Sequence, residues 1–157
     1  MLHFSVPNQV DFKIEHLVLD FNGTIAEDGT LIPGVGDLIH ALSSRVTVHV
    51  VTADTHGTAR MQLAPLPCTV KIIADAYQDR TKLDYVTELG RHQTVAIGNG
   101  ANDCLMLQHA AFSICVIQAE GAATGALQAA TMVCTNIRQA LELLLNPRRV
   151  TATLRNA

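Results

Sequence analysis

The stretch His16-Leu17-Val18-Leu19-Asp20-Phe21-Asn22-Gly23-Thr24 decides the fold of this chain. An apolar run, Leu17 to Leu19, ends abruptly on an aspartate, and a small, turn-prone Asn-Gly-Thr follows. Such a pattern is a buried strand that delivers one carboxylate to its C-terminal tip. In open α/β sheets that edge is where ligands bind. A second strand end of the same kind lies at Val95-Ala96-Ile97-Gly98-Asn99-Gly100-Ala101-Asn102-Asp103. Two acidic strand ends with a cationic helix between them read as a metal-assisted phosphate site.

Outward from these two stretches, strand and helix alternate. Leu2 to Val6 and Val10 to Ile14 are expected to pair as a hairpin, ahead of the strand Glu15 to Asp20. Ala26 to Thr30 reads as a polar loop with Asp28-Gly29 as its turn signal. Pro33 is expected to open a helix running to Ser44, since proline suits a first helical turn. Further strands are expected at 46–51, 69–74, 94–98, 113–117 and 132–134. The intervening helices fall at 55–63, 79–89, 102–110, 122–130 and 136–145, with a helical continuation allowed over the last ten residues. In the helix 79–89, Leu83, Val86 and Leu89 form one apolar face and Gly90 is the stop. The economical reading is one α/β domain over 1–157: a Rossmann-like, doubly wound, mostly parallel sheet with helices on both faces, in three α/β/α layers.

Composition agrees with that class. Of the 157 residues, 48% are hydrophobic and 16% charged, which excludes disorder and suits a sheet buried on both faces. The net charge is −3 and the only basic cluster is Arg148-Arg149, so nucleic acid is not an expected partner. No apolar run approaches the roughly 20 residues of a membrane span, and the N-terminal residues lack a signal-peptide core, so the cytoplasm is the expected location. Cys68, Cys104, Cys115 and Cys134 show no paired spacing and read as buried, reduced thiols.

The candidate site residues each carry a functional and a structural reading. A carboxylate at the tip of a buried strand, Asp20, can attack phosphorus or ligate a hard cation such as Mg²⁺; it can equally cap a turn. Thr52 ends its strand, where its hydroxyl can meet a phosphate oxygen or cap the next helix, and Asp54 reads as a cap. Arg80 and Lys82 lie in the first turn of a helix, an unfavourable place for a cation unless an anion is bound there; a solvated helix face is the other reading. Gly98 and Gly100 permit a tight turn, Asn99 offers a neutral carbonyl oxygen, and Asp103 can hold a metal. Asn102 or Asp103 can also serve simply as a helix cap. His56 follows Thr52 closely enough to contact substrate or donate a proton, or to face solvent.

Taken in order, these residues resemble the haloacid dehalogenase superfamily of hydrolases, and within it the small soluble proteins related to the phosphorylation domain of P-type ATPases. The D-x-D/T/N-G-T motif of that family matches Asp20 to Thr24. Its strand-ending Thr or Ser matches Thr52, its helix lysine matches Lys82 or Arg80, and its G-D-G-x-N-D motif matches Gly98 to Asp103. The resemblance runs over 15–135. It implies an aspartyl-phosphate on Asp20 and Mg²⁺ held by Asp20, the Asn22 carbonyl and Asp103, with Asn99 as a further ligand. It also implies that Thr52 and Lys82 grip the phosphoryl oxygens, and that Gly23, Thr24, Ala53, Asn102 and His56 belong to the phosphate pocket. The short intervals between motifs leave no room for a cap domain. An uncapped site suggests a macromolecular substrate or closure by another copy of the chain, so a homo-oligomer is a candidate state.

Two departures weigh on the activity. The position two residues after the nucleophile, usually an acid, is Asn22, and an amide cannot take a proton. Loss of general acid–base help costs about 10²–10⁴ in rate. The first acid of the last motif is Asn99, so the metal would meet one charge fewer. The expected activity is therefore a slow Mg²⁺-dependent phosphohydrolase acting on a phosphorylated substrate. The alternatives are a weakly catalytic phosphate- or nucleotide-binding module and an interaction scaffold.

Overall fold

Segments apolar on both sides must be covered on both sides, and four such segments form the middle of one six-stranded parallel sheet. The computed structural model describes residues 1–9 and 11–156. In chain order the elements are β1 (Leu2–Ser5), β2 (Asp11–Ile14), β3 (His16–Leu19), β4 (Ala26–Glu27), β5 (Thr30–Leu31), α1 (Val35–Ser43), β6 (Thr47–Thr52), α2 (Ala59–Leu63) and β7 (Thr69–Ile72). Then follow α3 (Gln78–Leu89), β8 (Thr94–Gly98), α4 (Cys104–His109), β9 (Phe112–Val116), α5 (Thr124–Ala129), β10 (Met132–Cys134), α6 (Ile137–Leu145) and α7 (Pro147–Leu154).

The main sheet has the order β10-β9-β8-β3-β6-β7, with all strand pairs parallel. Its first strand, β3, therefore sits between β6 and β8, and the winding reverses between β3 and β8. In doubly wound sheets a crevice opens at that reversal, outside the C-terminal strand ends. Alternate residues feed two cores. Leu17, Leu19, Val48, Val50, Val95 and Ile97 pack with α1, α2 and α6; Val18, Val51 and Ala96 pack with α3, α4 and α5. The layers are thus α/β/α, as the alternation of the sequence leads one to expect.

The hairpin of β1 and β2 forms in the expected register, Leu2 opposite Ile14 and Ser5 opposite Asp11. Val10, expected to open its second strand, lies outside the described residues, as does Ala157. Three boundaries are corrected. Pro33 does not open α1: Gly34 takes a left-handed φ of 90° just ahead of Val35, which pushes the helix start two residues on. The helix expected from residue 55 begins only at Ala59, because Asp54 to Gly57 close a turn first, with Gly57 N–H donating to the Asp54 carbonyl. The polar loop 26–30 is a small hairpin, β4 with β5, whose two turn residues Asp28 and Gly29 both have positive φ (49° and 80°). That is the geometry an Asp-Gly pair favours in a two-residue hairpin loop. On α3 the buried residues are Lys82 and Val86, with Tyr85 and Leu89 beside them; Leu83 is only half-buried. All four cysteines are free, and two of them, Cys68 and Cys104, are half-buried rather than interior.

One polar group lies deep in the second core. His49, in the middle of β6, has its Nε2 3.1 Å from His16 Nδ1 and its Nδ1 2.8 Å from the Tyr85 hydroxyl. Burial, with His16 adding to it, lowers the pKa of His49 from 6.5 to about 4. Unfolded, the imidazole takes its proton near pH 6.5; folded, only near pH 4. The unfolded state is therefore favoured progressively as pH falls through that window. Asp20 acts with the opposite sign between pH 3.8 and about 6, so the test is a difference. Between pH 7 and 4.5 the wild type should lose more thermal stability than His49→Asn does. Equal losses would show that His49 does not carry the effect.

Candidate active site

β3 ends where its side chains reach the sheet edge, and Asp20 extends its ladder by one bond, from Asp20 N–H to the Ile97 carbonyl (3.1 Å). The chain then turns sharply: the amides of Thr24, Ile25 and Ala26 all donate to the Phe21 carbonyl at 2.9–3.1 Å. Gly23 is required here. Its φ is 80°, and a Cβ on it would lie 2.3 Å from Asn99 Nδ2. Gly98 plays the matching part on β8, where a Cβ would lie 2.5 Å from the carboxyl carbon of Asp103. Both Asn-Gly and Gly-Asn pairs of the sequence thus let two loops close on each other.

That closure brings three charges together. Lys82 Nζ donates to Asp20 Oδ1 at 2.7 Å and to Asp103 Oδ1 at 2.8 Å. All three are buried: Lys82 1%, Asp20 7% and Asp103 0% exposed. Asp103 Oδ2 accepts the amides of Asn99 (3.0 Å) and Gly100 (2.9 Å), which fixes its carboxylate. The Thr24 hydroxyl stands 3.1 Å from Asp20 Oδ2 and 3.2 Å from Asn99 Oδ1, and its single proton serves one of them at a time. Burial, together with the Asp103 charge, raises the pKa of Asp20 from 3.8 to about 6, although Lys82 and Thr24 pull the other way. Burial alone would lower the Lys82 pKa, but the two carboxylates outweigh it and hold the ammonium above its ordinary range.

Two carboxylates against one ammonium leave the cluster one negative charge in excess, and the Asp103 charge adds to burial in raising the Asp20 pKa. Hard oxygen donors with an uncompensated charge are the donor set of a divalent cation such as Mg²⁺. Asp20 and Asp103 fit that role.

The other sequence candidates sort clearly. Thr52 is buried at the end of β6 and accepts the Asp54 amide at 2.9 Å, which leaves its own proton to donate. Ala53 follows it, half-buried. Asp54 is a cap, as expected: its Oδ1 accepts the amides of Thr58 and Ala59, both at 3.0 Å. Of the two candidate cations, Lys82 joins the carboxylates while Arg80 is exposed on the opposite side of α3. Asn102 does not face the cluster; its Nδ2 donates to Gln78 Oε1 at 2.7 Å and ties the motif loop to α3. The Asn99 amide is engaged at both ends, with Oδ1 near Thr24 and Nδ2 donating to the Gly121 carbonyl at 3.0 Å, so it braces loops. The Asn22 side chain also points away from Asp20. Its Oδ1 accepts the Gly29 amide at 3.0 Å and holds the β4–β5 hairpin. His56 is exposed and lies against that hairpin turn.

Gln118 was not foreseen. Its Nε2 donates to the carbonyls of Thr24 (2.9 Å) and Gly23 (3.3 Å), and its Oε1 accepts the Ile137 amide (2.8 Å). It clamps the turn after Asp20 to the start of α6. The signal was positional: Gln118 follows β9, the next strand out from β8, on the same sheet edge.

Comparison with known proteins gives three findings. A family model described as haloacid dehalogenase-like hydrolase matches residues 81–140. An uncharacterised protein of Methanocaldococcus jannaschii is 42% identical over 79 residues, which is 48% of this chain and 85% of that protein. Among solved structures, the cobalt-bound deoxy-D-mannose-octulosonate 8-phosphate phosphatase of Haemophilus influenzae aligns with a TM-score of 0.70 at 15% identity, covering 90% of this chain and 93% of that one. The corresponding Moraxella catarrhalis phosphatase, in complex with magnesium, phosphate and KDO, gives 0.68 at 17% identity, covering 89% and 90%. A phosphoserine phosphatase gives 0.66 at 15%, covering 83% and 98%. At these identities the structural likeness speaks for the fold.

Proposed function

The chain belongs to the haloacid dehalogenase-like hydrolases, and from that premise we propose a Mg²⁺-dependent phosphohydrolase that works through an aspartyl-phosphate on Asp20. The observation that carries this reading is Lys82 Nζ, held 2.7 Å from Asp20 and 2.8 Å from Asp103 at the point where the sheet reverses. The Asp20 carboxylate attacks phosphorus, and the bond to the substrate oxygen breaks. Water then attacks the phosphorus of the acyl-phosphate and frees Asp20. Lys82 neutralises the phosphoryl oxygens, and the Thr52 hydroxyl donates to one of them. Asp103, with Asp20 and the Asn22 carbonyl, would hold Mg²⁺, which supplies charge neutralisation when bound.

The substrate is a phosphorylated compound. The structural neighbours named for their substrates are phosphatases of small phosphorylated molecules, and they support that class without fixing the member. No helix among the described residues is long and apolar enough to cross a membrane; we place the protein in the cytoplasm. The absence of an acid at Asn22 favours the subgroup related to P-type ATPases, whose aspartyl-phosphates are long-lived. Closure of the uncapped site by a second copy fits the same reading.

A second reading, a phosphate-binding module with feeble turnover, is favoured by one observation: the Asn22 amide is tied to Gly29 and can neither donate nor take a proton in catalysis. One experiment separates the two. Phosphate release from an aryl phosphate is measured with Mg²⁺ and with a chelator. Wild type should show slow, Mg²⁺-dependent release, and Asn22→Asp should raise it at least tenfold, within the roughly 10²–10⁴ that acid–base assistance supplies. An inert wild type with an inert Asn22→Asp favours the binding module.

A further inference from the structure

We infer that Tyr85 and His49 are positioning residues: their hydrogen bond pins helix α3 on strand β6 and so sets where Lys82 meets the phosphoryl group. This rests on the phosphohydrolase reading above. The polar chain His16–His49–Tyr85 joins the elements that deliver the site. β3 opens on His16 and leads into Asp20; β6 carries His49 and ends on Thr52; α3 carries Lys82 and, one turn on, Tyr85. His49 Nδ1 lies 2.8 Å from the Tyr85 hydroxyl, and its Nε2 lies 3.1 Å from His16 Nδ1. His16, Val18 and Asp20 alternate onto one face of their strand, the face that α3 covers and from which Lys82 reaches Asp20.

Helix α3 has little apolar hold on the sheet near Lys82. The residues ahead of it, Gln78-Asp79-Arg80-Thr81, are polar throughout, and the apolar contact comes later, from Val86 with Tyr85 and Leu89 beside it. So thin an apolar contact tolerates sliding, and each residue of slide moves a helix about 1.5 Å along its axis. Polar ties flank the lysine instead. One turn before it, Gln78 Oε1 accepts from Asn102 Nδ2 at 2.7 Å, which fastens α3 to a loop. One turn after it, Tyr85 fastens α3 to the sheet. The bond from Lys82 to Asp20 cannot do this work, because the carboxylate oxygen it holds is the one that must meet phosphorus or a metal. The Tyr85–His49 bond takes no part in the reaction and persists through it.

The arrangement is not the cheapest for the fold. His49 is 6% exposed, and an apolar pair in its place would pack without giving up bonds to water. What a buried polar bond supplies is register. Burial keeps the His49 ring neutral at pH 7, and burial with the Glu88 charge holds the Tyr85 hydroxyl protonated, so both bonds form without a buried charge. Lys82 and Tyr85 stand three residues apart, about 4.5 Å along the helix axis, so a shift at one is carried to the other. A misplacement of about 1 Å in a catalytic group can cost about 10² in rate.

The test compares wild type, Tyr85→Phe, His49→Asn, the double variant Tyr85→Phe/His49→Leu and Asp20→Asn. Hydrolysis of an aryl phosphate with Mg²⁺ gives kcat/KM, and thermal unfolding at neutral pH gives stability. Tyr85→Phe removes the bond, and kcat/KM should fall about tenfold. The double variant replaces both polar partners with apolar ones; it should unfold at or near the wild-type temperature and still lose about tenfold. His49→Asn puts an amide where Nδ1 stands and keeps a partner for the Tyr85 hydroxyl, so it should stay within about threefold of wild type. A merely structural contact would make turnover follow stability. Tyr85→Phe at the wild-type rate, losses that track the unfolding temperature, or His49→Asn as slow as Tyr85→Phe overturns the positioning role, while Asp20-dependent turnover in wild type keeps the phosphohydrolase reading. Tyr85→Phe against His49→Asn decides the matter if the double variant does not fold. Wild type without Asp20-dependent turnover overturns the phosphohydrolase reading; the same ranking is then read from the Kd of inorganic phosphate, and an equal Kd in wild type and Tyr85→Phe overturns the positioning role as well.

Discussion

Asp20→Asn should abolish turnover, by at least about 10³-fold, without lowering the stability of the fold. The rate effect follows from chemistry: an amide oxygen is not a nucleophile toward phosphorus, and removing the nucleophile of a covalent mechanism removes its whole pathway. The stability effect follows from the charge. Ordinarily Asp ionises near 3.8; here burial and the Asp103 charge lift Asp20 to about 6. A raised pKa means the fold favours the protonated form, so the stability it contributes is complete below pH 3.8 and is lost as pH rises through 6. At pH 8 both states carry the charge and the folded one bears the cost. Asn is nearly the same shape and neutral, so thermal unfolding at pH 8 should occur at or above the wild-type temperature. Retained turnover would refute the aspartyl-phosphate. A variant melting well below wild type would refute the charge argument.

Lys82→Met is the counterpart, with the larger cost to folding. The lysine is 1% exposed and bonds to both carboxylates. Methionine fills a similar volume but leaves Asp20 and Asp103 facing each other in the interior. Breaking a buried ion pair by removing one partner costs about 3–5 kcal/mol, because the remaining charges stay desolvated and unpaired. Denaturant unfolding at pH 7.5 should report a loss of that size, and added Mg²⁺ should recover part of it by replacing the missing positive charge. A loss under about 1 kcal/mol would mean that the two acids already share a proton and that Lys82 is not their counter-ion. Turnover should fall as well, since the phosphoryl oxygens lose their cation.

Much of this was legible from residue types alone, and the reasons are local. The apolar runs ending at Asp20, Thr52 and Gly98 mark strands because each is too apolar to be exposed, and parallel order follows from the helices between them. The choice between Arg80 and Lys82 was also in the sequence. Lys82 stands four residues before Val86, on the row that faces the sheet, and Arg80 does not. A cation on the buried row of a helix is a stronger signal than a cation in its first turn. The β4–β5 hairpin was half legible: its Asp28-Gly29 turn was visible, but strands of two residues carry no alternation to read. The roles of Asn22 and Asn99 were not legible. Both face backbone groups distant in sequence, the Gly29 amide and the Gly121 carbonyl, and an amide's type says nothing about which partner it finds.

The sheet order also bears on how the molecule is made. Strand β3 is translated early, yet its neighbour on one side is β8, which follows the β4–β5 hairpin, two further strands of the main sheet and three helices. Asp20 leaves the ribosome long before Lys82 and Asp103, the residues that share its buried position. Until β8 slots in beside β3, that carboxylate has no reason to leave water, and the nascent chain can keep the edge of β3 hydrated and unpaired. The centre of the sheet is therefore among the last places to close, although it holds the first strand of that sheet to be made.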